Sequence, residues 1–158
     1  MKLRLLCVGK IGEPFLKAGV AEYAGRIQRY LPLTTVELKE EQGGGRASEQ
    51  RLLREREGER LLAKVPPQAF TIVLDEGGKA LDSPGLAALL EKHMLQGTQE
   101  LTWVIGGPYG LSDGVKSRGD LLLSLSHFTF THQMIRLFLL EQIYRALTII
   151  RNEPYHNR

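Results

Sequence analysis

LTWVIGGPYGLS (101–112), then LSLSHFTFTHQM (123–134), a long apolar helix and a terminal PYH (154–156) set the architecture of this chain. Residues 101–106 form an apolar run stopped by Gly-Gly-Pro, the pattern of a buried strand ending in a turn. A second run, DLLLSLSHFTF (120–130), leads into a helix expected over 133–151. On that helix Met134, Leu137, Phe138, Leu140, Ile143, Tyr144, Leu147 and Ile150 cover more of the circumference than one core face requires. The helix should therefore be covered on two sides. A second subunit in a closed two-fold dimer is the expected second cover, with burial inside the monomer as the alternative.

Working outward, KLRLLCV (2–8) predicts a buried strand, and Pro14 opens a helix on which Leu16, Val20, Tyr23, Ile27 and Leu31 recur at intervals of three and four. A short strand is expected at Thr35 to Leu38, followed by a loop whose three glycines, 43–45, are costly to order. Ser48 is placed to cap a helix from about Glu49 to Lys64, where arginines and glutamates nearly cancel as on a solvated face. The second half repeats the alternation. FTIVLD (70–75) reads as a strand, Ser83 as the cap of a helix with Pro84 first and its end near Leu95, and Ser112 or Asp113 as the start of a short helix ending near Gly119. Strands alternating with helices predict an α/β fold, a mainly parallel sheet flanked by helices in one domain over 1–158.

Composition bounds the function. With 158 residues, 42% hydrophobic and 25% charged, the chain is ordinary for one domain with a real core. No run approaches the roughly 18 apolar residues of a membrane span, and the N-terminal run is too short for a signal peptide, so a cytoplasmic protein is expected. The single Cys7 lies in an apolar strand and suits a buried hydrophobe in a reducing compartment. A net charge of +3 leans toward a polyanionic partner without establishing one.

Most familiar motifs are missing. The first turn, Gly9-Lys10-Ile11-Gly12, lacks the dinucleotide fingerprint, and neither a phosphate-binding GxxxxGK[ST] loop nor a GxSxG nucleophile elbow occurs. His93, His127, His132 and His156 have no metal-ligand spacing, so no metal is expected. In a parallel sheet ligands bind at the carboxyl ends of strands, here 74–78, 106–110 and 125–131, and these three loops predict one pocket. Glycine at 106 fits either a turn with positive φ or close approach of a ligand to the backbone. The tail NEPYHNR should fray beyond Pro154, although its aromatic, imidazole and guanidinium groups form a usable RNA-contact set.

The order VLDEGG (73–78), IGGPYGLS (105–112), LSLSHFTFTHQMIRLFLLEQIYRALTI (123–149) and NEPYH (152–156), with an N-terminal KLxxLxVGK, resembles the RlmH family over essentially the whole chain. These are bacterial 23S ribosomal RNA pseudouridine N3-methyltransferases of the SPOUT class. The resemblance implies a deep trefoil knot in the C-terminal part, about 70–158, which periodicity cannot reveal and which connection rules treat as exceptional. It also implies a homodimer with active sites near the dimer interface.

By motif, the resemblance implies that S-adenosylmethionine is held by Leu74, Gly106, Leu125, Ser126, His127, Phe128, Thr129 and Phe130. His127 would contribute backbone rather than ring. The implied reaction moves the sulfonium methyl to N3 of a pseudouridine in the helix 69 loop, on the assembled ribosome. His156 is expected as the base or as a substrate-orienting group, Tyr155 as a stacking partner and Arg158 as a phosphate contact. The family commonly follows PYH with a basic residue, whereas this chain has Asn157 first and only then Arg158. A noncatalytic RNA-binding module and a small-molecule methyltransferase remain the readings from other classes. Intact cofactor motifs weigh against the first, and the lack of a small-substrate lid weighs against the second.

Overall fold

A computed structural model describes residues 1–43 and 45–157; Gly44 of the glycine loop and Arg158 of the tail lie outside the described residues. Its strands are β1 (Lys2–Val8), β2 (Leu33–Leu38), β3 (Phe70–Ala80), β4 (Glu100–Ile105) and β5 (Leu121–Ser124), paired in the order β2-β1-β4-β3-β5 with every pair parallel. The helices between and after them are α1 (Pro14–Ile27), α2 (Ala47–Lys64), α3 (Ser83–Leu95), α4 (Asp113–Arg118) and α5 (His132–Ile150). The expected α/β sheet flanked by helices is present.

Strand alternation divides the core into two layers. Leu3, Leu5 and Cys7 of β1 and Leu101, Trp103 and Ile105 of β4 face a cluster completed by α1, α3 and α5. Leu6 and Val8 of β1 and Val104 of β4 face the opposite cluster, with Leu61 of α2 and Val115 of α4. Every residue of β4 is buried because it is central and covered on both faces, which explains its unbroken apolar run. Each large aliphatic side chain so buried is worth about 1.5–3 kcal/mol.

Several local expectations need correction. Ser48 lies inside the first turn of α2, whose N-cap is Arg46. For α3 the cap is Asp82, which accepts from the Gly85 N–H at 2.7 Å, so Ser83 and Pro84 are already helical. A carboxylate there also meets the positive end of the helix. β3 runs on through the glycines to Ala80, because Lys79 and Ala80 pair with Leu123 and Ser124 after a register shift. At α4 the expectation holds, with Ser112 as the cap and Gly119 at the far end.

The tail does not fray. Asn152 takes a left-handed φ of 55°, while the N–H groups of Asn152 and Glu153 bond to the carbonyls of Ile149 and Thr148 at 3.1 and 2.9 Å. That is a Schellman ending, which satisfies the last carbonyls of α5 and turns the chain back. Tyr155 then stacks on Tyr144 with ring centroids 4.6 Å apart.

Candidate functional site

The carboxyl ends of β3, β4 and β5 open into a cleft of about 1170 Å³, walled by 74–76, 105–111, 123–126 and 128–135, with α1 and Arg54 of α2 opposite. The three loops predicted from the strand ends thus meet in one place. The volume exceeds the roughly 300–1,000 Å³ of an ordinary small-molecule pocket, which leaves room for a second ligand. Its polar and charged groups include Glu13, Asp75, Glu76, Lys116 and His132, with Lys116 Nζ 3.2 Å from Asp75 Oδ1.

Leu74, Gly106, Leu125, Ser126, Phe128, Thr129 and Phe130 all line this cleft. His127 does not, and its side chain is exposed. Of the apolar run 120–130, only Leu121–Ser124 is strand, β5. Beyond it Ser124 Oγ donates to the Ser126 carbonyl and Ser126 Oγ accepts from Phe128 N–H, each at 3.0 Å, giving a side-chain-braced loop. Phe128 and Phe15 are strongly exposed at the cleft, and Phe130 packs edge-on against Phe138 at 4.9 Å.

Of the two readings for glycine at 106, the turn explains it without a positive φ. A Cβ there would lie 2.8 Å from Leu111 Cδ2 and 3.1 Å from the Gly110 carbonyl oxygen. The left-handed residue of the turn is Gly110, at φ 81°. This turn is fastened from outside: Tyr109 donates its hydroxyl to the Gly43 carbonyl at 2.7 Å, and Glu57 of α2 lies buried beside Gly107. Glu57 accepts from the Glu41 N–H at 3.0 Å, but its second oxygen has no partner, and burial raises its pKa.

The other wall is held by Arg136, almost fully buried on the first turns of α5. Its Nη2 donates to the carbonyls of Val8 and Gly9 at 2.8 and 2.6 Å, and its Nη1 to Glu37 at 2.8 Å. One side chain therefore ties the ends of β1 and β2 to the start of α5. Gln133 adds a bond, accepting from Gly12 N–H at 3.0 Å. His132 lies beside this node, with Nε2 3.3 Å from Glu40 Oε1 but out of line for a hydrogen bond. Burial lowers its pKa, and Glu40 opposes that shift.

Tyr155 and His156 stand elsewhere. They pack on Glu141 and Arg145, ~9–15 Å along α5 from the last cleft residue, Ile135. Tyr155 hydroxyl bonds to Glu141 at 3.0 Å, lies 3.3 Å from Tyr23 hydroxyl, and its ring is covered by the Arg145 guanidinium at 4.7 Å. Burial comes first among the causes that raise its pKa, so the phenol stays protonated. Arg145 Nη1 reaches His156 Nδ1 at 3.4 Å. Tyr30 donates to Glu153 and is pushed up to about 12 by that bond. Within one chain the cleft and the tail residues are thus separate, and Arg158 lies outside the described residues.

Sequence reasoning missed Arg54, Arg136 and His132. For Arg54 a weak signal existed: its neighbours four residues away are Gln50 and Gly58, which leaves only Glu57, three residues on, as a helical ion-pair partner. Among the described residues no group of three or more His, Cys, Asp or Glu could hold a metal, and no helix is long and apolar enough to cross a membrane.

The family model described as "Predicted SPOUT methyltransferase" matches residues 1–156. A protein of Syntrophotalea carbinolica named "Ribosomal RNA large subunit methyltransferase H" is 56% identical over 158 residues, covering 100% of both chains. One of the same name from Trichlorobacter lovleyi is 54% identical over 99% of this chain and 100% of its own. Among solved structures, the tRNA (m1G37) methyltransferase of Aquifex aeolicus superposes with a TM-score of 0.53 at 15% identity, covering 100% of this chain and 77% of that one, a likeness of fold alone. On these matches the chain belongs to the SPOUT methyltransferases, and within them to the ribosomal RNA large subunit methyltransferase H family.

Proposed function

We propose that this protein methylates large-subunit ribosomal RNA, with S-adenosylmethionine as donor and N3 of a pseudouridine in the helix 69 loop of 23S RNA as acceptor. It acts on assembled ribosomes in the cytoplasm, as a homodimer, with its chain threaded into a knot over about 70–158. The observation that carries this reading is the meeting of Leu74, Gly106 and the 125–130 loop in one cleft, in a chain whose full-length relatives bear the name of a ribosomal RNA methyltransferase.

The cleft fits the donor. Leu74, Ile105, Leu123 and Leu125 provide apolar walls for an adenine face, and the turn at Gly106 brings backbone groups to its edge. When bound, S-adenosylmethionine supplies an electrophilic methyl on a sulfonium. The residues around it exclude water and hold the acceptor in line, which favours a step that cancels opposite charges. As the new N–C bond forms, the proton on N3 must leave.

His156 is the residue assigned to that acceptor, as base or as orienting group, with Tyr155 beside it and Arg158 on a phosphate. Because Tyr155 and His156 lie outside their own chain's cleft, the homodimer has a chemical role here: the tail entering each cleft belongs to the partner subunit. The half-buried apolar residues of α5, including Met134, Leu137 and Tyr144, support a second cover of this kind.

The test is incubation of the purified protein with methyl-labelled S-adenosylmethionine and ribosomes lacking the modification, then nuclease digestion and mass spectrometry. Label on N3 of one large-subunit pseudouridine is the expected result; no label, with cofactor binding intact, refutes the assignment. His156→Ala should lower turnover while leaving cofactor affinity in place, and unchanged turnover removes His156 from the reaction.

A further inference from the structure

We infer that Arg54 is a phosphate-binding residue of the cleft, which receives the backbone of the RNA beside the target nucleotide. The inference rests on the ribosomal RNA reading above and extends it to a named contact. Arg4, Arg26, Arg60, Arg118, Arg136 and Arg145 are the other arginines that the fold buries or half-buries, and each has a carboxylate oxygen at 3.4 Å or less. Arg54 is half-buried too, lines the cleft, and among the described residues has no carboxylate at ion-pair distance. Elsewhere this fold neutralises a partly desolvated guanidinium from within. At this position it leaves the planar donor fork of Arg54 for an anion from outside.

Packing brings Arg54 to the reacting end of the molecule. One turn after it on α2, Glu57 sits beside Gly107, and Gly58 has room only for Ser112, so this helix lies directly against the GGPYGLS turn. Glu57 is the acid nearest in sequence on the inward side; its Oε2 accepts from the Glu41 amide, its Oε1 is buried without a hydrogen-bond partner, and neither oxygen lies at ion-pair distance from Arg54.

A polyanion fits Arg54 better than a lone carboxylate. The N-cap Arg46, then Gln50 and Arg54 of α2, recur every four residues along one stripe, while the exposed Arg51 beside it is paired with Glu55 at 3.2 Å. The arginines of this stripe without a carboxylate at ion-pair distance among the described residues are thus Arg46 and Arg54, ~12 Å apart along the axis, a spacing that separate phosphates of one strand can bridge. The cleft volume beyond a small-molecule pocket gives the nucleotide its place.

The experiment measures equilibrium binding of unmodified ribosomes to the wild-type protein, Arg54→Gln and Arg54→Lys between 50 and 200 mM salt, with S-adenosylmethionine affinity titrated separately. Arg54→Gln should weaken ribosome binding about five- to tenfold at the low-salt end. Its slope of log K against log salt should be shallower by ~0.7–0.9, the loss of one phosphate contact, with cofactor Kd within twofold of wild type. Arg54→Lys should keep the slope and recover part of the affinity. A weakened cofactor Kd with an unchanged salt slope would assign Arg54 to the cofactor carboxylate and overturn the inference. Ribosome binding and salt slope equal to wild type would overturn it as well, as would wild-type protein that does not bind ribosomes. Wild-type protein that binds with the expected salt dependence but transfers no methyl group refutes the proposed reaction and leaves the Arg54 comparison intact.

Discussion

Replacing Arg136 with Met removes the clasp between the sheet and α5 while keeping most of the side chain's volume. Three charge-assisted bonds are lost, to the carbonyls of Val8 and Gly9 and to Glu37. Hydrogen bonds to charged groups contribute about 1.5–3 kcal/mol each, but the sum overstates the loss, since the guanidinium's own burial is costly and its Nε has no partner. Deleting one member of a buried pair typically costs about 3–5 kcal/mol. The Glu37 side chain is 40% exposed, so its stranded charge rehydrates and the ion pair contributes little. What remains is chiefly two buried carbonyls without donors, at about 1–3 kcal/mol each. The expected loss is therefore about 3–4 kcal/mol, and for a 158-residue domain it lowers Tm by ~6–16 °C. Urea unfolding of wild type and Arg136→Met at one protein concentration measures it. The Glu37→Gln background separates the terms, because Arg136→Met should cost nearly as much there as in wild type. A loss below about 1 kcal/mol, or one that vanishes with Glu37→Gln, would refute the assignment of the stability to the two carbonyls.

Gly78→Ala places a Cβ 2.6 Å from the Leu122 carbonyl carbon, and backbone cannot rotate away, so a loss of about 1–3 kcal/mol and weaker cofactor binding are expected from thermal shift and titration; wild-type values would show that β3 and β5 separate freely. Burial lowers the pKa of His132 in the folded protein, so the unfolded chain takes up the proton first and stability is lost as pH falls below the ordinary value of 6.5. The stability difference between wild type and His132→Asn should accordingly shift against wild type from pH 7 to 5, and a pH-independent difference would contradict this. Cys7 is buried with its thiol pushed up to about 12, leaving about one in 10⁴ ionised at pH 8, so a thiol reagent should label it only on unfolding. Rapid labelling of the native protein would contradict its burial.

Local order was legible wherever one residue type had a single physical use. Pro14 starts α1, and the unbroken apolar run of β4 marks a strand covered on both faces. Reading failed where a distant partner chose between local alternatives. The glycines at 77 and 78 look like a turn, yet pairing with β5 extends β3 past them, and Gly78 is needed because Leu122 passes too close for any Cβ. Ser83 reads as the cap of α3, yet Asp82, one residue earlier, makes the capping hydrogen bond. The strand order, in which β4 enters between β1 and β3, leaves no periodic signature. For the site, the three loops followed from the rule that ligands bind at strand ends, whereas Arg54, Arg136 and His132 acquire meaning only from what the fold brings near them. The tail was misjudged for the opposite reason. Its anchor is local, an Asn in the left-handed region two residues before Pro154, and could have been read from Asn-Glu-Pro itself.

The fastening of that tail bears on which of its two assigned roles His156 can fill. Arginine only donates, so the contact from Arg145 Nη1 makes Nδ1 the acceptor, and the remaining proton of a neutral imidazole is then on Nε2. While that contact holds, the Nδ1 lone pair is occupied and is not open to a proton. Tyr155 cannot act as the base either, because burial and its bonds to Tyr23 and Glu141 keep the phenol protonated. Glu141 in turn is neutralised by Arg145, at 2.5 Å from Nη2. The donors of Tyr155 and Arg145 are turned onto Glu141 and His156, so the tail is held on α5 as one packed unit around an ion pair. For the reaction proposed above this contact favours the orienting role of His156 over that of base, because taking up the N3 proton at Nδ1 first requires the Arg145 contact to open.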